Sequence, residues 1–129
     1  RLTGESIDIS DSSISTMSST IFDMTQTLPT DPLEVKLILT TVAYLTDKDK
    51  SRIGVTHERM KELWSEYNFD YSKLNISEAI KLLLERKTFS HEEKDQHHYY
   101  RYSLELFRRW WLQHHYDIGL ELTSFAKKI

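Results

Sequence analysis

Cysteine is absent from this chain of 129 residues, and glycine and proline are scarce, with three and two copies. Without cysteine there is no disulfide, no thiol nucleophile and no zinc site of the cysteine type. Three glycines are too few for a fold of many tight turns or for a glycine-rich phosphate loop. No stretch approaches the ~18 uncharged apolar residues of a membrane span. The sequence therefore argues against disulfide scaffolds, membrane spans and phosphate loops.

An excess of basic charge is also missing. The net charge is −3, and residues 1–31 carry one basic and five acidic side chains, against sixteen basic and fifteen acidic ones in residues 32–129. Domains that bind specific nucleic acids usually show a clear basic excess or stripe. Charge alone therefore indicates no polyanion-binding surface in either part.

What remains is the composition of one globular domain, with 39% apolar and 29% charged residues. Residues 1–30 form an acidic leader rich in serine and threonine. Within it, apolar residues at spacings of three and four predict a helix over about 12–27. Residues 31–129 form the domain. The first residue is Arg1 and no signal peptide follows it, so we expect a piece of a longer cytoplasmic protein.

The first helix of the domain is predicted to be its most buried one. Asp31 is an N-cap acceptor, Pro32 suits the first helical position, and Glu34 is placed to reach back to the cap. The apolar residues of 33–45 then cover more than one face of the helix. We expect a charged loop over 47–50 and a very short strand over 52–55.

Two further helices have recognisable starts. Thr56 can cap the second helix, whose apolar stripe contains Met60, Leu63, Trp64 and Tyr67. Asn75 opens the third with a capping-box pattern, and its stripe contains Ile76, Ala79, Ile80, Leu83 and Leu84. The connection between the two, residues 67–74, is longer than the tightest turns of helix-turn-helix proteins.

The last third of the chain predicts a hairpin and a helical end. Residues 88–90 and 99–102 have strand character around a long charged loop over 91–98. Ser103 can cap a helix through at least His114 with Leu104, Phe107, Trp110 and Trp111 as its apolar stripe. A helical pattern resumes after an interruption at 117–119.

The order helix, short strand, helix, helix, strand, strand, helix is that of a winged helix-turn-helix. The predicted class is therefore mainly α with a small β-hairpin, with additional N- and C-terminal helices. The second and third helices form the helix-turn-helix, and the hairpin forms the wing.

Two segments resemble a particular group of winged-helix domains. They are Ile76–Arg86 (ISEAIKLLLER) and Tyr100–Trp111 (YRYSLELFRRWW). They are similar to the domain C-terminal to the nucleotide-binding core in P-loop ATPases of the STAND and AAA+ groups, over about residues 31–115. The resemblance implies a module that helps couple nucleotide state to conformation in a parent ATPase. It implies no catalytic residue here, because the ATP site of that group lies in another domain.

The residues give no sign of catalysis, and no cofactor or small-molecule ligand is expected. His97 and His98 are adjacent, as are His114 and His115, and adjacent side chains do not easily chelate one ion. The segment beginning at His57 starts like the His-Glu-x-x-His zinc motif but lacks the second histidine. No metal site and no enzyme activity are therefore predicted.

Two functions from different classes remain. The leading one is a non-catalytic module that packs against other domains of its parent or against a protein partner; its interface candidates are Phe22, Met24, Trp110 and Trp111. Both tryptophans cannot face inward, so one is expected at an interface.

The alternative is double-stranded DNA binding through the third helix and the wing. Its contact candidates are Lys73, Ser77, Lys81, Arg86, Lys87, Lys94 and Arg101. Acidic residues share the same elements and would repel a phosphate backbone: Glu78, Glu85, Glu92, Glu93 and Asp95.

Overall fold

Five helices and one β-hairpin follow one another in residues 32–129, the part of the chain that this computed structural model describes. They are α1 (Leu33–Asp49), α2 (His57–Glu66), α3 (Ile76–Glu85), β1 (Phe89–Lys94), β2 (His97–Tyr102), α4 (Glu105–His114) and α5 (Ile118–Lys128). The helix predicted over 12–27 and the candidates Phe22 and Met24 lie outside the described residues. The described fold is mainly helical with a small antiparallel hairpin, as predicted, and is compatible with a winged helix that carries extra helices at its C-terminal end.

Helix α1 is the centre of the core, as its apolar pattern predicted. Nine of its residues are buried, and it packs against α3, α4, α5 and β2. Two details of the prediction are wrong. Pro32 takes the N-cap position, so the helix begins at Leu33, and the helix continues to Asp49 through the expected charged loop. The acids there are compatible with helix because Asp49 pairs with Arg59 and Asp47 pairs with Arg108 from outside it.

The polar atoms of three large core side chains all find partners on α1. Trp64 Nε1 donates to Thr41 Oγ1 at 2.9 Å, and Trp111 Nε1 donates to Thr40 Oγ1 at 3.0 Å. The Tyr102 hydroxyl donates to the Leu39 carbonyl at 2.6 Å. A buried polar group is costly unless it is hydrogen-bonded, so these bonds fix how α2, α4 and β2 seat on α1.

The predicted caps of α2 and α3 are confirmed. Thr56 Oγ1 accepts from Arg59 N at 3.1 Å, and Asn75 Oδ1 accepts from Glu78 N at 3.2 Å. The capping box at α3 is completed differently, because Asn75 N donates to Glu34 Oε2 at 3.3 Å. Glu34 therefore ties the start of α1 to the start of α3 instead of reaching back to its own cap.

The wing is a continuous ladder rather than a hairpin with a long loop. Phe89 pairs with Tyr102 at its base and Lys94 with His97 at its tip. Only Asp95 and Gln96 form the turn, both with positive φ (53° and 68°). Consecutive left-handed residues make the type I′ turn, whose twist suits a two-residue hairpin. The stretch 91–98 is polar because both faces of the outer wing meet solvent, and that polarity concealed its strand character.

The short strand predicted over 52–55 is present as a single bridge from Val55 to Tyr100. Val55 N donates to Tyr100 O at 2.8 Å, and Tyr100 N donates to Val55 O at 2.9 Å. Gly54 has φ +130°, and a Cβ placed there would lie 2.6 Å from Tyr100 O. This glycine permits the close approach that joins Val55 to the wing.

The last two helices begin differently from each other. Ser103 is not the cap of α4: Leu104 holds that position without a side-chain bond, and the Ser103 hydroxyl lies 2.8 Å from the Ser90 hydroxyl. Asp117 caps α5 by accepting from Leu120 N at 3.1 Å. The predicted return of helical structure after 117–119 is confirmed.

Candidate interaction surfaces

The outward face of α3 carries mixed charge. Ile76, Ala79, Ile80 and Leu83 face the core, so helical periodicity places Glu78, Lys81 and Glu85 on the opposite side. A groove between α1 and α3 is lined by three carboxylates, Glu34, Glu78 and Glu85, and by Lys81. Lys81 is thus surrounded by acids at the centre of the face that a recognition helix would present to DNA.

The remaining DNA candidates do not join Lys81 in one basic surface. Lys73 and Ser77 are exposed at the start of α3, whereas Arg86 and Lys87 are exposed beyond its end. Lys87 adopts a left-handed conformation (φ 65°), and Thr88 N donates to Leu83 O. That geometry ends the helix and turns the chain into β1.

On the wing, Arg101 already has partners. Its Nη1 lies 3.0 Å from Glu92 Oε1 and donates to the Ile53 carbonyl at 3.1 Å. The register places Lys94 on the same face of the wing, at the tip. The structure therefore separates the seven DNA candidates into Lys73 before α3, two residues on α3, two at its end and two on the wing.

A polar cleft of about 610 Å³ lies between the end of α1, the wing and the start of α4. Four basic residues line it, Lys50, Arg52, Arg101 and Arg108, together with Asp47 and Glu105. Of these, only Arg101 is a site residue predicted from the sequence. Lys50, Arg52 and Arg108 come together because α1 ends close to the point where β2 leads into α4. This proximity depends on tertiary packing, so local sequence patterns do not predict it.

Arg108 is the most deeply placed charge of the described part and is only 6% exposed. It donates to Asp47 Oδ1 at 2.7 Å and to both oxygens of Glu105. These hydrogen bonds raise the pKa of Arg108, and the Arg108 guanidinium lowers the pKa of the Glu105 carboxyl. The ion pairs of Arg108 therefore join α1 to α4 along the wall of the cleft.

Three exposed large hydrophobic side chains lie in the first turn of α5 or beside it. We call them the aromatic patch: Tyr67, Tyr116 and Leu120, which are 42%, 74% and 67% exposed. A Cβ at Gly119 would lie 3.5 Å from Tyr67 Cε2, so the Tyr67 ring lies against the first turn of α5. Partial burial and the neighbouring Tyr44 hydroxyl raise the pKa of Tyr67.

The two tryptophans of α4 differ in their surroundings. Trp111 is buried and bonded to Thr40, so it is the one of the two that faces inward and belongs to the core of its own domain. Trp110 is half-buried, with its ring 4.5 Å from the His114 ring. It is the member of the pair that stays available as an interface candidate.

Residues 32–129 contain no converging group of three or more histidine, aspartate or glutamate side chains. Nor does any helix in that range combine the length and the apolar character needed to cross a membrane. Comparison with models of protein families, with curated proteins and with solved structures returned no match. The surfaces themselves are therefore the basis for a functional proposal.

Proposed function

We propose that this chain is a non-catalytic winged-helix module of a larger cytoplasmic protein, and that it binds another domain of that protein or a protein partner. The observation that carries the proposal is the aromatic patch. Tyr67, Tyr116 and Leu120 each expose between two-fifths and three-quarters of their surface, and a group of exposed large apolar side chains, unlike a single one, is informative. Exposed aromatic surface of this kind is typical of the centre of protein interfaces.

The ends of α2 and α5 would supply a rigid platform for this interface. Tyr67 is the C-cap residue of α2, and Leu120 lies in the capped first turn of α5. A patch built on capped helix ends loses little conformational freedom on binding, which favours affinity. The half-buried Trp110 on α4 is a second candidate anchor.

The resemblance to STAND and AAA+ ATPases suggests what the patch would contact. In such a parent protein, the nearest surface is the nucleotide-binding core. A module that docks there would help couple nucleotide state to conformation. This assignment rests on analogy of fold.

The alternative is DNA binding through α3 and the wing, which are the elements that winged-helix proteins use for it. The charge of α3 opposes this function. Glu78 and Glu85 flank Lys81, and Glu34 adds a third carboxylate beside them. Affinity for DNA depends on phosphate neutralisation by lysine and arginine, so acids at this position remove its main source.

A DNA titration at about 50 mM salt, where phosphate contacts are strongest, separates the two functions. We expect no saturable binding of a duplex by the wild-type chain. The double substitution Glu78→Lys and Glu85→Lys serves as a positive control, because it makes the outward face of α3 basic and should create salt-sensitive binding. Wild-type binding that is abolished by Lys81→Glu would overturn the proposal in favour of DNA.

A further inference from the structure

Two histidines that are distant in sequence meet across the wing. His91 lies in β1 and His98 in β2, and His91 Nε2 is 2.7 Å from His98 Nδ1. Their rings are nearly parallel, with centroids 4.9 Å apart. A contact this short requires that one nitrogen carries the hydrogen and the other offers its lone pair. The two nitrogens therefore already face each other.

The hairpin register explains why these two residues meet. His91 pairs with Tyr100, and Glu93 pairs with His98, so the four side chains project from one face of the wing. The Tyr100 ring stacks on His91 with centroids 5.5 Å apart. His97, in contrast, pairs with Lys94 and belongs to the opposite face. Only the cross-strand pair, and not the adjacent pair of histidines, can act on one ligand.

We propose that His91 and His98 form a binding site for a divalent transition cation of the zinc, nickel or copper class. Imidazole nitrogen is a preferred ligand of these metals and not of magnesium or calcium. Two nitrogens bound at ~2.0–2.1 Å in tetrahedral geometry lie roughly 3.3 Å apart. The observed pair must open by only about 0.6 Å, and both side chains are exposed, so a small rotation suffices. On binding, the ring that donates the hydrogen bond shifts its proton to its other nitrogen, so that both facing nitrogens offer a lone pair to the cation.

Glu93 does not converge with the two histidines in this structure, but rotation of its side chain would bring it to the cation as a third ligand. It stands directly opposite His98, where cross-strand Cβ atoms are ~4.5–5.5 Å apart, and its side chain is exposed and free to rotate. Water would complete the coordination. Because only two nitrogens are preassembled, the site is open and its cation exchangeable, unlike a closed structural zinc centre.

Calorimetric titration of the full chain with Zn²⁺, Ni²⁺ and Cu²⁺ at pH 7.5 tests this proposal. We expect one cation per chain, with the copper ion held more tightly than zinc or nickel and no uptake of Mg²⁺. His91→Ala and His98→Ala should each weaken binding by about tenfold or more, since each removes one arm of a chelate. Glu93→Gln should weaken it less. Proton NMR of the imidazole rings should show His91 and His98 shifting with added Zn²⁺.

His97→Ala is the matched control, because it removes an exposed imidazole one residue away on the other face. It should leave the affinity unchanged. The proposal is overturned if the wild-type chain shows no saturable uptake. It is equally overturned if His97→Ala weakens binding as much as His98→Ala does. Since His91 and His98 are exposed, both variants are expected to keep the wild-type urea midpoint, which verifies that they fold.

Discussion

Arg108 lies in the middle of the buried face of α4, between Phe107 and Trp111, although arginine is among the residues least often buried. Its guanidinium reaches two carboxylates that are each more than half exposed, Asp47 and Glu105, so charge is neutralised at the edge of the core rather than inside it. The burial of Arg108 therefore depends on the packing of α1 against α4, which places Asp47 within reach of the guanidinium. Local features such as the Thr56 and Asn75 caps could be predicted, whereas Arg108 could not.

His57 shows the same dependence on tertiary context and yields a pH prediction. Its Nε2 is buried without a hydrogen-bond partner. Burial, followed by the charge of Lys61, lowers the pKa of His57, against a smaller opposing effect of Glu58. The folded state thus disfavours the protonated ring. The contribution of neutral His57 to folding stability is therefore complete above ~6.5, the pKa of histidine in the unfolded chain. This contribution is lost as the pH falls through the lowered pKa of the folded state.

We therefore expect the urea midpoint of the wild-type chain to fall between pH 7.5 and pH 5.5, and His57→Leu to reduce that fall. The window lies above the range in which Asp49 and Glu105 take up protons, because their arginine partners lower the pKa of both carboxyls. His97→Leu is the control, with an exposed ring, and should keep the wild-type loss. An identical loss in His57→Leu and wild type would show that His57 is not responsible.

Among the elements of the fold, the wing differs most from the structure that the sequence predicts. Alternation of apolar residues marked only the ends of the two strands, near Phe89 and Tyr102, because the outer wing has no buried face to impose a period of two. The type I′ turn at Asp95 and Gln96 was equally hidden, since it lacks the usual Asn-Gly or Asp-Gly signature. The buried helices α1 and α3, in contrast, have strong apolar patterns and were placed within a few residues of their observed bounds.

The bridge between Val55 and Tyr100 depends on Gly54. We expect Gly54→Ala to lower the free energy of unfolding by at least about 2 kcal/mol, because φ +130° is strained for alanine and its Cβ would lie 2.6 Å from Tyr100 O. Gly119→Ala is the matched control. The nearest atoms there are 3.5 Å away and the residue is helical, so the change should be neutral or stabilising by up to about 1 kcal/mol. Equal effects of the two substitutions in chemical denaturation would contradict this account of the wing.

At the scale of the whole molecule, the element order and the buried position of α1 follow from the sequence, but the aromatic patch does not. Tyr67 falls on the predicted apolar stripe of α2, yet α2 ends at Glu66 and the ring is left at the helix end. Leu120 is two residues from both Ile118 and Leu122, which are buried, so the helical period places it on the opposite side of α5. The contact of the Tyr67 ring with the first turn of α5, in contrast, depends on tertiary packing and leaves no periodic signal in the sequence.

We propose that the module acts through the aromatic patch and not through α3. A photoreactive amino acid placed at position 120, and in a parallel variant at position 81, tests it most directly, since Leu120 and Lys81 are both exposed helical residues on different surfaces. The two proteins would be irradiated in the native host and their adducts identified by mass spectrometry. We predict a protein adduct that maps to one defined surface from position 120, and no nucleic-acid adduct from position 81. Nucleic-acid adducts from position 81 with none from position 120 would contradict the account.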